Sequence, residues 1–558
     1  MEQIRKSLRD SAVARWSALA IVAFTMLCGY FLTDVMSPLK PMLESQLLWN
    51  SSDYGIFTSA YGWFNVFLMM LIIGGIILDK MGVRFTGLAS TIVMIVGASI
   101  KYYAISSTFP EGATILGIKM QVAIAAIGYA TFGVGVEIAG ITVSRIIVKW
   151  FKGKEMALAM GLEMATARLG TLLATAIPLP IARYFGDVSK PILFALILLV
   201  IGLIAFIVYT VMDKKLEASD SAEVAAEDEE PFKVSDILNI ITNRGFWLIS
   251  ILCVLFYSAV FPWIKYATDL VINKYQVNPD IAGLIPSVLP LGTLFLTPFF
   301  GNLYDRKGKG ATIMVIGALM LIGIHGIFSI PFLTNWMVAL VVTVFLGIAL
   351  SLVPSAMWPS VPKIIPEKQL GTAYALTFWI QNWGLMGVPL LIGYVLSVTN
   401  PAVPPAKEAV KSAITNTYTM VMQNDSALNM DSHDLSKVIE KTTTLLINKV
   451  LVETSYEGDA NSNLDNVKSQ ISNQVVKSVE DLNLASMDQG AALQKVQDSL
   501  VDVGFKVIVD NKVNLRYNYT VANIIFMVFG ILAFIVALML KAEDKKKGYG
   551  LELPNIQK

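Results

Sequence analysis

An acid and a base stand in the middle of long apolar stretches of this sequence, where ionised side chains are rare. Glu137 lies about sixteen residues into one stretch and Arg168 about twelve into the next, which brings both to a similar depth if the stretches are helices. A charge at the centre of a membrane helix costs about 2.5–3.5 kcal/mol. One explanation is a structural ion pair between neighbouring helices. We favour a water-lined site that holds the opposite ends of a zwitterion, because both groups lie centrally.

Further polar side chains are predicted at a comparable depth. They are Tyr30, Tyr61, Asn65, Gln381 and Asn382, with Trp63, Trp379 and Trp383 beside them. A mixed aromatic and amide lining is typical of a small-molecule site. Any one of these residues alone is better explained by packing or by a hydrogen bond between helices.

Four other ionisable residues are interpreted without a functional role. Asp34 lies near the outer end of its helix, where its carboxylate can reach water. Lys265 and Asp269 are four positions apart, which favours a local surface pair. His325 could carry a proton, but a lone helix histidine is more often a satisfied hydrogen-bonding residue. We find no nucleophile–base pair, metal cluster or phosphate loop, so the sequence predicts no enzyme, cofactor or metal site.

The composition indicates that a lipid bilayer surrounds these residues. Of 558 residues, 55% are hydrophobic and 15% are charged, and the mean hydropathy is +0.62. Globular proteins carry about 25% charged residues. The net charge of +1 provides no polybasic field for nucleic acid. Cys28 and Cys253 lie in apolar runs, which argues against a disulfide framework or a zinc site.

Apolar runs of about 20 residues predict an all-α membrane protein with twelve spanning helices. Clusters of lysine and arginine fall on one side of the alternating topology, which predicts that both termini are cytoplasmic. The predicted spans are 16–36, 54–78, 86–106, 119–148, 156–183, 191–212, 246–273, 281–303, 311–331, 336–360, 370–397 and 519–541.

Two polar segments divide the spans. The predicted organisation is an N-terminal six-helix half (1–212), a cytoplasmic acidic linker (213–245), helices seven to eleven (246–397), an extracytoplasmic insertion (398–518), and the last helix with a cytoplasmic tail (519–558). Residues 213–235 lack apolar periodicity, which predicts disorder. In Leu435–Leu451 and Ala491–Val503 apolar residues recur every three or four positions, so the insertion is predicted to be a small helical domain.

Two loops half a chain apart share one motif. Residues 75–84 and 301–309 each place glycine, acid, base and glycine at the same spacing after a long apolar run. Such a repeat in an apolar chain is typical of transporters whose two related halves move against each other.

The charged residues of the repeated loops suggest a gate. Asp79 and Asp305 could face the positive end of a nearby cytoplasmic helix. Arg84 or Arg306 could bond a carboxylate of the other half. We interpret the four residues as a cytoplasmic latch that breaks when that side opens.

With these loops and the six-plus-six layout, the chain resembles the major facilitator superfamily. A narrower likeness rests on five motifs: Arg15-Trp-Ser-Ala-Leu19, Trp150-Phe-Lys-Gly-Lys-Glu155, Ala167-Arg-Leu-Gly170, Ala259-Val-Phe-Pro262, and Ile365-Pro-Glu-Lys-Gln-Leu-Gly-Thr-Ala-Tyr374 followed by Ile380-Gln-Asn382. On these motifs the chain is similar to the lysosomal dipeptide transporter family called major facilitator superfamily domain-containing protein one. The likeness covers the spans but not the 398–518 insertion.

The resemblance implies the twelve-helix major facilitator fold and a uniporter that moves dipeptides by alternating access. It also implies that an acid and an arginine, here Glu137 and Arg168, read the amino and carboxyl termini of the peptide. Trp358 matches a family pattern and would line the site. The chain departs from the family at Glu163, where glutamine is expected, and at Lys265, where a small residue is expected. These departures leave the exact substrate class open.

Two alternatives stay open. One is a proton-coupled transporter of another small organic anion or nutrient, and the other is a non-transporting membrane receptor or scaffold. The family's vertebrate members work with a glycoprotein on the lumenal side, so we expect an accessory protein on the extracytoplasmic face, or the insertion in its place. A bacterial inner membrane is the first choice of compartment, and a lysosomal membrane is the second.

Overall fold

A computed structural model describes most of the chain. The described residues are 8–110, 112–151, 154–219, 234–366, 369–424, 441–442, 444–445, 469, 471–475, 477, 494–501, 503–504 and 515–555. They belong to two compact units. The bundle unit comprises Met1–Leu43, Ser51–Leu396 and Tyr519–Lys558, and the insertion unit comprises Glu44–Asn50 and Ser397–Asn518.

The N-terminal half of the chain is helical apart from one short hairpin. Its helices are α1 (Ala12–Asp34), α2 (Lys40–Leu47), α3 (Ser51–Ser59), α4 (Trp63–Phe67), α5 (Met70–Ser106), α6 (Met120–Phe151), α7 (Met156–Ala176), α8 (Pro178–Phe185) and α9 (Lys190–Ser219). Single 3-10 turns lie at Leu8–Asp10, Ser37–Leu39 and Ala60–Gly62. Strands β1 (Thr114–Ile115) and β2 (Ile118–Lys119) pair antiparallel, with Thr114 opposite Lys119.

Nine further helices lie among the described residues of the C-terminal half of the chain. They are α10 (Val234–Ile241), α11 (Arg244–Tyr275), α12 (Pro279–Ala282), α13 (Leu284–Lys307), α14 (Gly310–Ser329), α15 (Trp336–Ile364), α16 (Leu370–Thr399), α17 (Val403–Asn424) and α18 (Thr520–Lys547). Asparagine side chains start three of them: Asn243, Asn278 and Asn335 accept bonds from first-turn amides of α11, α12 and α15. Helices suit a bilayer because they satisfy every backbone group internally.

Eleven helical stretches in the described residues are long and apolar enough to cross a membrane, and one of them, Met70–Ser106, joins the second and third predicted spans across a kink. The second predicted span, 54–78, is irregular. This span begins in short helices, breaks at Met69 (φ 50°, ψ 37°) and continues as the start of α5. Helix α5 then bends at Gly82 (φ 74°, ψ 174°), a conformation that is essentially restricted to glycine, and goes on to contain the third span. The second and third predicted spans are therefore two helical segments that meet at the kink of Gly82.

The acidic linker is shorter than predicted. Helix α9 continues to Ser219, so the first residues of the 213–235 segment are helix rather than disordered chain. Lys149 of α6 binds this end of α9, because its Nζ lies 2.9 Å from both the Asp213 and the Glu217 carboxylates. Residues 220–233 lie outside the described residues, and α10 occupies the end of the predicted 213–245 linker.

The described residues of the insertion unit are mostly helical. Lys407 of α17 lies 2.8 Å from the Glu44 carboxylate, and its Nζ lies 4.7 Å from the centroid of the Tyr517 ring. The predicted helix Leu435–Leu451 falls largely outside the described residues. In the predicted Ala491–Val503 helix, residues 494–501 are helical. The extracytoplasmic position of the insertion stays a prediction.

Helices α5 and α6 pack with their backbones in contact. A Cβ atom on Gly97 would lie 2.3 Å from the Phe132 backbone nitrogen and 2.6 Å from the Gly128 carbonyl oxygen. Glycine at this position permits the close approach that is common between membrane helices.

We expect Gly97→Ala to destabilise the bundle. The added methyl group meets backbone atoms rather than movable side chains, so overpacking should cost about 1–3 kcal/mol. The measurement is the melting temperature of the purified protein, which should fall. Gly75→Ala on the same helix is the matched control, because a Cβ there meets nothing within 4 Å. Equal melting temperatures for the two variants would contradict the prediction.

Candidate substrate-binding site

Glu137 is held by a tyrosine from the interrupted second span. The Tyr61 hydroxyl donates a 2.7 Å hydrogen bond to Glu137 Oε1. Tyr61 lies in the 3-10 turn Ala60–Gly62, which reaches α6 because Gly133 has no side chain: a Cβ there would lie 2.3 Å from the Tyr61 carbonyl oxygen. The irregular second span therefore positions Glu137, the acid that was predicted to be a site residue because of its depth in the helix.

Arg168 is not paired with Glu137. Among the described residues it forms no hydrogen bond or ion pair, and its guanidinium lies over the ring of Phe261 on α11, 5.7 Å from the centroid. Gly170 brings this part of α7 against α1, where a Cβ would lie 2.6 Å from the Leu27 carbonyl oxygen. A structural ion pair between Glu137 and Arg168 is therefore not what this conformation contains.

An aromatic wall of Tyr257, Phe261, Trp358 and Phe378 extends from Arg168 along the C-terminal half. Phe261 stacks on Tyr257 with centroids 5.2 Å apart, and Trp358 stacks on Phe378 at 4.9 Å. Trp358 Nε1 joins the two pairs by donating a 3.1 Å hydrogen bond to the Tyr257 hydroxyl. Sequence analysis named only Trp358, because single aromatic residues in an apolar run resemble ordinary packing residues.

Tyr30 of α1 lies among the ionisable groups of the site. It has electrostatic interactions with Arg168, Glu163 and Glu137. Glu163, on the same helix as Arg168, interacts with the arginine but is not ion-paired to it among the described residues. Glu163 is therefore a carboxylate near the guanidinium of Arg168.

Three amides predicted to line the site lie in helix contacts. Asn65 is fully buried, and its amide atoms have no hydrogen-bond partner in the described part of the chain. Gln381 Oε1 accepts a 3.8 Å bond from the Cys253 thiol, and Asn382 Nδ2 donates to the Phe378 carbonyl at 3.0 Å. Their role as substrate ligands stays a prediction.

Three ion pairs join the halves at the face opposite the termini: Lys265–Asp34, Lys40–Asp269 and Arg183–Asp280. We call this side of the bundle the opposite face. The other side, where α1 begins and where α6, α13 and α18 end, is called the terminal face. Lys265 Nζ lies 2.6 Å from Asp34 Oδ1 and donates to the Thr33 carbonyl at 2.8 Å. Lys40 Nζ lies 2.8 Å from Asp269 Oδ2. The Lys265–Asp34 and Lys40–Asp269 pairs are reciprocal, since each half contributes one lysine and one aspartate to them.

The predicted surface pair of Lys265 with Asp269 is therefore wrong, and so is the water-facing position of Asp34. The Lys265 and Asp34 side chains are only 13% and 11% exposed, and those of Lys40 and Asp269 are 0% and 1% exposed. Positions four apart do share one side of α11, but that side packs against the other half. The true partners are 229 and 231 residues away along the chain, beyond the reach of a local pattern.

Lys101 of α5 is a buried cation that sequence analysis missed. It is fully buried, donates to the Leu32 carbonyl at 3.2 Å and lies 4.9 Å from the centroid of the Tyr129 ring. The Tyr129 hydroxyl accepts a 3.1 Å bond from Lys265 and donates to the Thr33 carbonyl at 2.6 Å. A lysine inside an apolar run was the signal that could have revealed it.

At the terminal face, the first repeated loop bonds within its own half. Asp79 Oδ1 lies 3.0 Å from the Arg145 guanidinium. Arg84 lies 2.8 Å from Glu217, which also binds Lys149 at 2.9 Å. Among the described residues, neither Asp79 nor Arg84 bonds a charged group of the other half.

The second repeated loop bonds the end of the chain. Asn555 Nδ2 donates to Asp305 Oδ1 at 2.8 Å, and the Asn555 backbone nitrogen donates to the Asp305 carbonyl at 3.1 Å. Arg306 has no ion-pair partner in the described part of the chain. The latch predicted for Asp79, Arg84, Asp305 and Arg306 is thus not formed in this conformation, and its gating role stays a prediction.

The two faces differ in how the halves meet. At the opposite face, Gly55 and Gly393 approach so closely that a Cβ on Gly55 would lie 2.9 Å from the Gly393 Cα. The ion pairs between the halves lie at the same face, whereas those described at the terminal face stay within one half. The bundle is therefore closed at the opposite face.

The chain is similar to known membrane transporters. The Major Facilitator Superfamily model matches residues 19–389. Proteins named lysosomal dipeptide transporter MFSD1 are 28% identical over 393 residues in Danio rerio and 27% over 391 in Homo sapiens, each match covering 68% of this chain and 80% of the relative. The inner membrane transport protein YdiN of Escherichia coli is 33% identical over 132 residues, 24% of this chain and 28% of that protein.

Solved structures share the fold. A bacterial homologue of the human lysosomal transporter Spinster, inward-facing and unoccupied, matches with a TM-score of 0.53 at 11% identity, covering 95% of this chain and 99% of that one. A D-xylose–proton symporter matches with a TM-score of 0.52 at 14% identity, covering 68% and 89%. The family match and this fold describe a multi-pass membrane transporter rather than an enzyme. The chain belongs to the Major Facilitator Superfamily.

Proposed function

We propose that this protein carries dipeptides across the membrane by alternating access, as a uniporter. The observation that carries the proposal is that Glu137 and Arg168 lie in the middle of adjacent helices without pairing. A charge at this depth is costly unless something compensates it. A ligand with an ammonium group at one end and a carboxylate at the other would supply both compensations. The relatives named as dipeptide transporters support the same class of ligand.

Each group is suited to one end of a dipeptide. Tyr61 occupies Glu137 Oε1, which leaves the other carboxylate oxygen for an ammonium group. The planar guanidinium of Arg168 can bind a carboxylate through two parallel hydrogen bonds. The aromatic wall beside it offers apolar contact and stacking, which accepts side chains of many shapes.

The transport cycle follows from the two faces. Opening the opposite face would break the Lys265–Asp34 and Lys40–Asp269 pairs, and closing the terminal face would form the predicted latch of the repeated loops. We place the protein in a bacterial inner membrane, with a lysosomal membrane as the alternative. We infer that the insertion shields the extracytoplasmic face, in place of an accessory protein.

Counterflow tests the proposal. Proteoliposomes preloaded with an unlabelled dipeptide, without any ion gradient, should take up the same dipeptide carrying a label. The N-acetylated dipeptide lacks the ammonium group, and the dipeptide amide lacks the carboxylate. Each should compete at least about tenfold more weakly than the unmodified control, since each loses a charge-assisted contact. Absence of counterflow by the preloaded wild type, or equal competition by the blocked forms, would contradict the proposal.

A proton-coupled transporter of another small organic anion is the second candidate. Glu163 favours it, because this second carboxylate interacts with Arg168 and has no ion-pair partner among the described residues. In that case uptake should follow an imposed pH gradient and should lose this dependence in Glu163→Gln. Counterflow that is independent of the gradient, in wild type and variant alike, would exclude it.

A further inference from the structure

The end of the chain folds back onto the second repeated loop. Helix α18 ends at Lys547, and the residues that follow, Gly548–Asn555, are here called the tail. The Leu551 carbonyl accepts a 2.8 Å bond from the Gly310 nitrogen, and the Glu552 carbonyl accepts a 2.9 Å bond from the Lys309 nitrogen. The Leu551 side chain is fully buried. The tail is thus a docked segment of the C-terminal half.

Side chains reinforce this docking. The Glu552 carboxylate accepts bonds from the Thr312 backbone nitrogen at 2.8 Å and from its hydroxyl at 2.9 Å, in the first turn of α14, where the helix dipole favours an anion. Lys363 of α15 donates to the carbonyls of Gly550 and Leu553 at 3.1 and 2.9 Å. The tail therefore binds the loop and the helices on both sides of it.

The tail also forms hydrogen bonds with Asp305, the acidic residue of the second repeated loop. Asn555 bonds both the Asp305 carboxylate and the Asp305 carbonyl, at 2.8 and 3.1 Å. Asp305 is the residue that corresponds to Asp79 in the first repeat. A carboxylate oxygen that already accepts from Asn555 is less available to a partner in the other half.

The two repeats differ in this respect. A Cβ on Gly308 would lie 2.5 Å from the Glu552 carbonyl oxygen, whereas a Cβ on Gly82 of the first loop meets nothing within 4 Å. The second loop is covered by the tail, and the matching glycine of the first loop is open. The glycine of the second motif therefore makes room for the tail in addition to allowing the turn at φ 67°.

We propose that the tail regulates alternating access by holding the second repeated loop on the C-terminal half, which keeps the terminal face open. Closure brings the loops of the two halves together, so Asn555 competes with the other half for Asp305 Oδ1 and holds the loop back. The inference rests on movement of the two halves, which is part of the proposed function, and not on the identity of the substrate.

Distances between spin labels at Lys80→Cys and Lys307→Cys, exposed positions on the two repeated loops, test this inference in the full-length protein. The native Cys28 and Cys253 are buried and should not take up label. Asn555→Ala should raise the population of short distances about tenfold, because it removes a hydrogen bond to a charged group. A chain ending at Gly548 should show at least the same shift. Lys546→Ala, at an exposed position of α18, is the matched control and should show none.

A variant at the opposite face distinguishes a failure of the tail inference from a failure of the proposed alternating access. Lys265→Met removes an ion pair that keeps that face closed, so it should also raise the short-distance population. If it does, and Asn555→Ala and the truncated chain do not, the tail inference is wrong and the proposed function stands. A shift of either tail variant towards longer distances would overturn the inference as well. If no variant moves the distances, alternating access and the tail inference both fail. Melting temperatures show whether each variant is folded.

Discussion

Arg168→Ala is expected to abolish dipeptide counterflow while the bundle stays folded. A hydrogen bond to a charged group contributes about 1.5–3 kcal/mol, and a guanidinium can form two with a carboxylate, so transport should fall at least about 100-fold. Folding should suffer little, because Arg168 forms no hydrogen bond or ion pair among the described residues and only lies over the Phe261 ring. Initial counterflow rates and melting temperatures of the same preparations measure the two effects.

Arg168→Lys is the matched variant. It keeps the positive charge but loses the planar fork, so an intermediate loss of about tenfold is expected. Normal counterflow by Arg168→Ala would place the carboxylate of the substrate elsewhere. A melting temperature that fell in step with transport would show that Arg168 supports the fold rather than the ligand.

Lys265→Met should shift the protein towards the conformation that is open at the opposite face. The substitution leaves Asp34 buried without its cation, which costs about 3–5 kcal/mol as long as that face is closed. The penalty vanishes when opening brings Asp34 into water, so the ratio of the two conformations should change by about 100-fold or more. Spin labels at Tyr184→Cys and Phe332→Cys, 85% and 80% exposed and on different halves, should report longer distances.

Asp34→Asn provides the control in the Lys265→Met background. The double variant removes both charges of this pair, so it should recover much of the wild-type distance distribution. Reversal of the pair, with Lys265→Asp and Asp34→Lys together, should recover it further because the ion pair can form again. Distances that are the same in Lys265→Met and in the wild type would show that the pair does not hold this face closed.

Much of the fold could be predicted because its determinants are local. A run of apolar residues long enough to cross a bilayer predicts a helix wherever it occurs, and the spacing within 75–84 and 301–309 revealed the repeat. The exception was the second span, whose apolar run contains a left-handed residue at Met69. A backbone conformation of this kind leaves little trace in hydropathy.

Some residues of the candidate site could likewise be predicted from local sequence, and others could not. Glu137 and Arg168 were found because a charge at mid-membrane is unusual by itself, whatever surrounds it. The partners of Lys265 and Asp269 were not found, since they come from the other half of the chain. The aromatic wall was missed because the contact of Phe261 with Arg168 joins residues that are far apart in the sequence. The tail was missed because its docking relies largely on backbone groups, which every residue possesses.

The reciprocal ion pairs of the opposite face bear on how the protein responds to the membrane potential. Moving one elementary charge through 100 mV involves about 2.3 kcal/mol. Each half contributes one lysine and one aspartate to these pairs, so separating them displaces no net charge with either half. A dipeptide with uncharged side chains is also neutral as a whole. The voltage across the bilayer therefore does almost no work on these four side chains or on such a cargo.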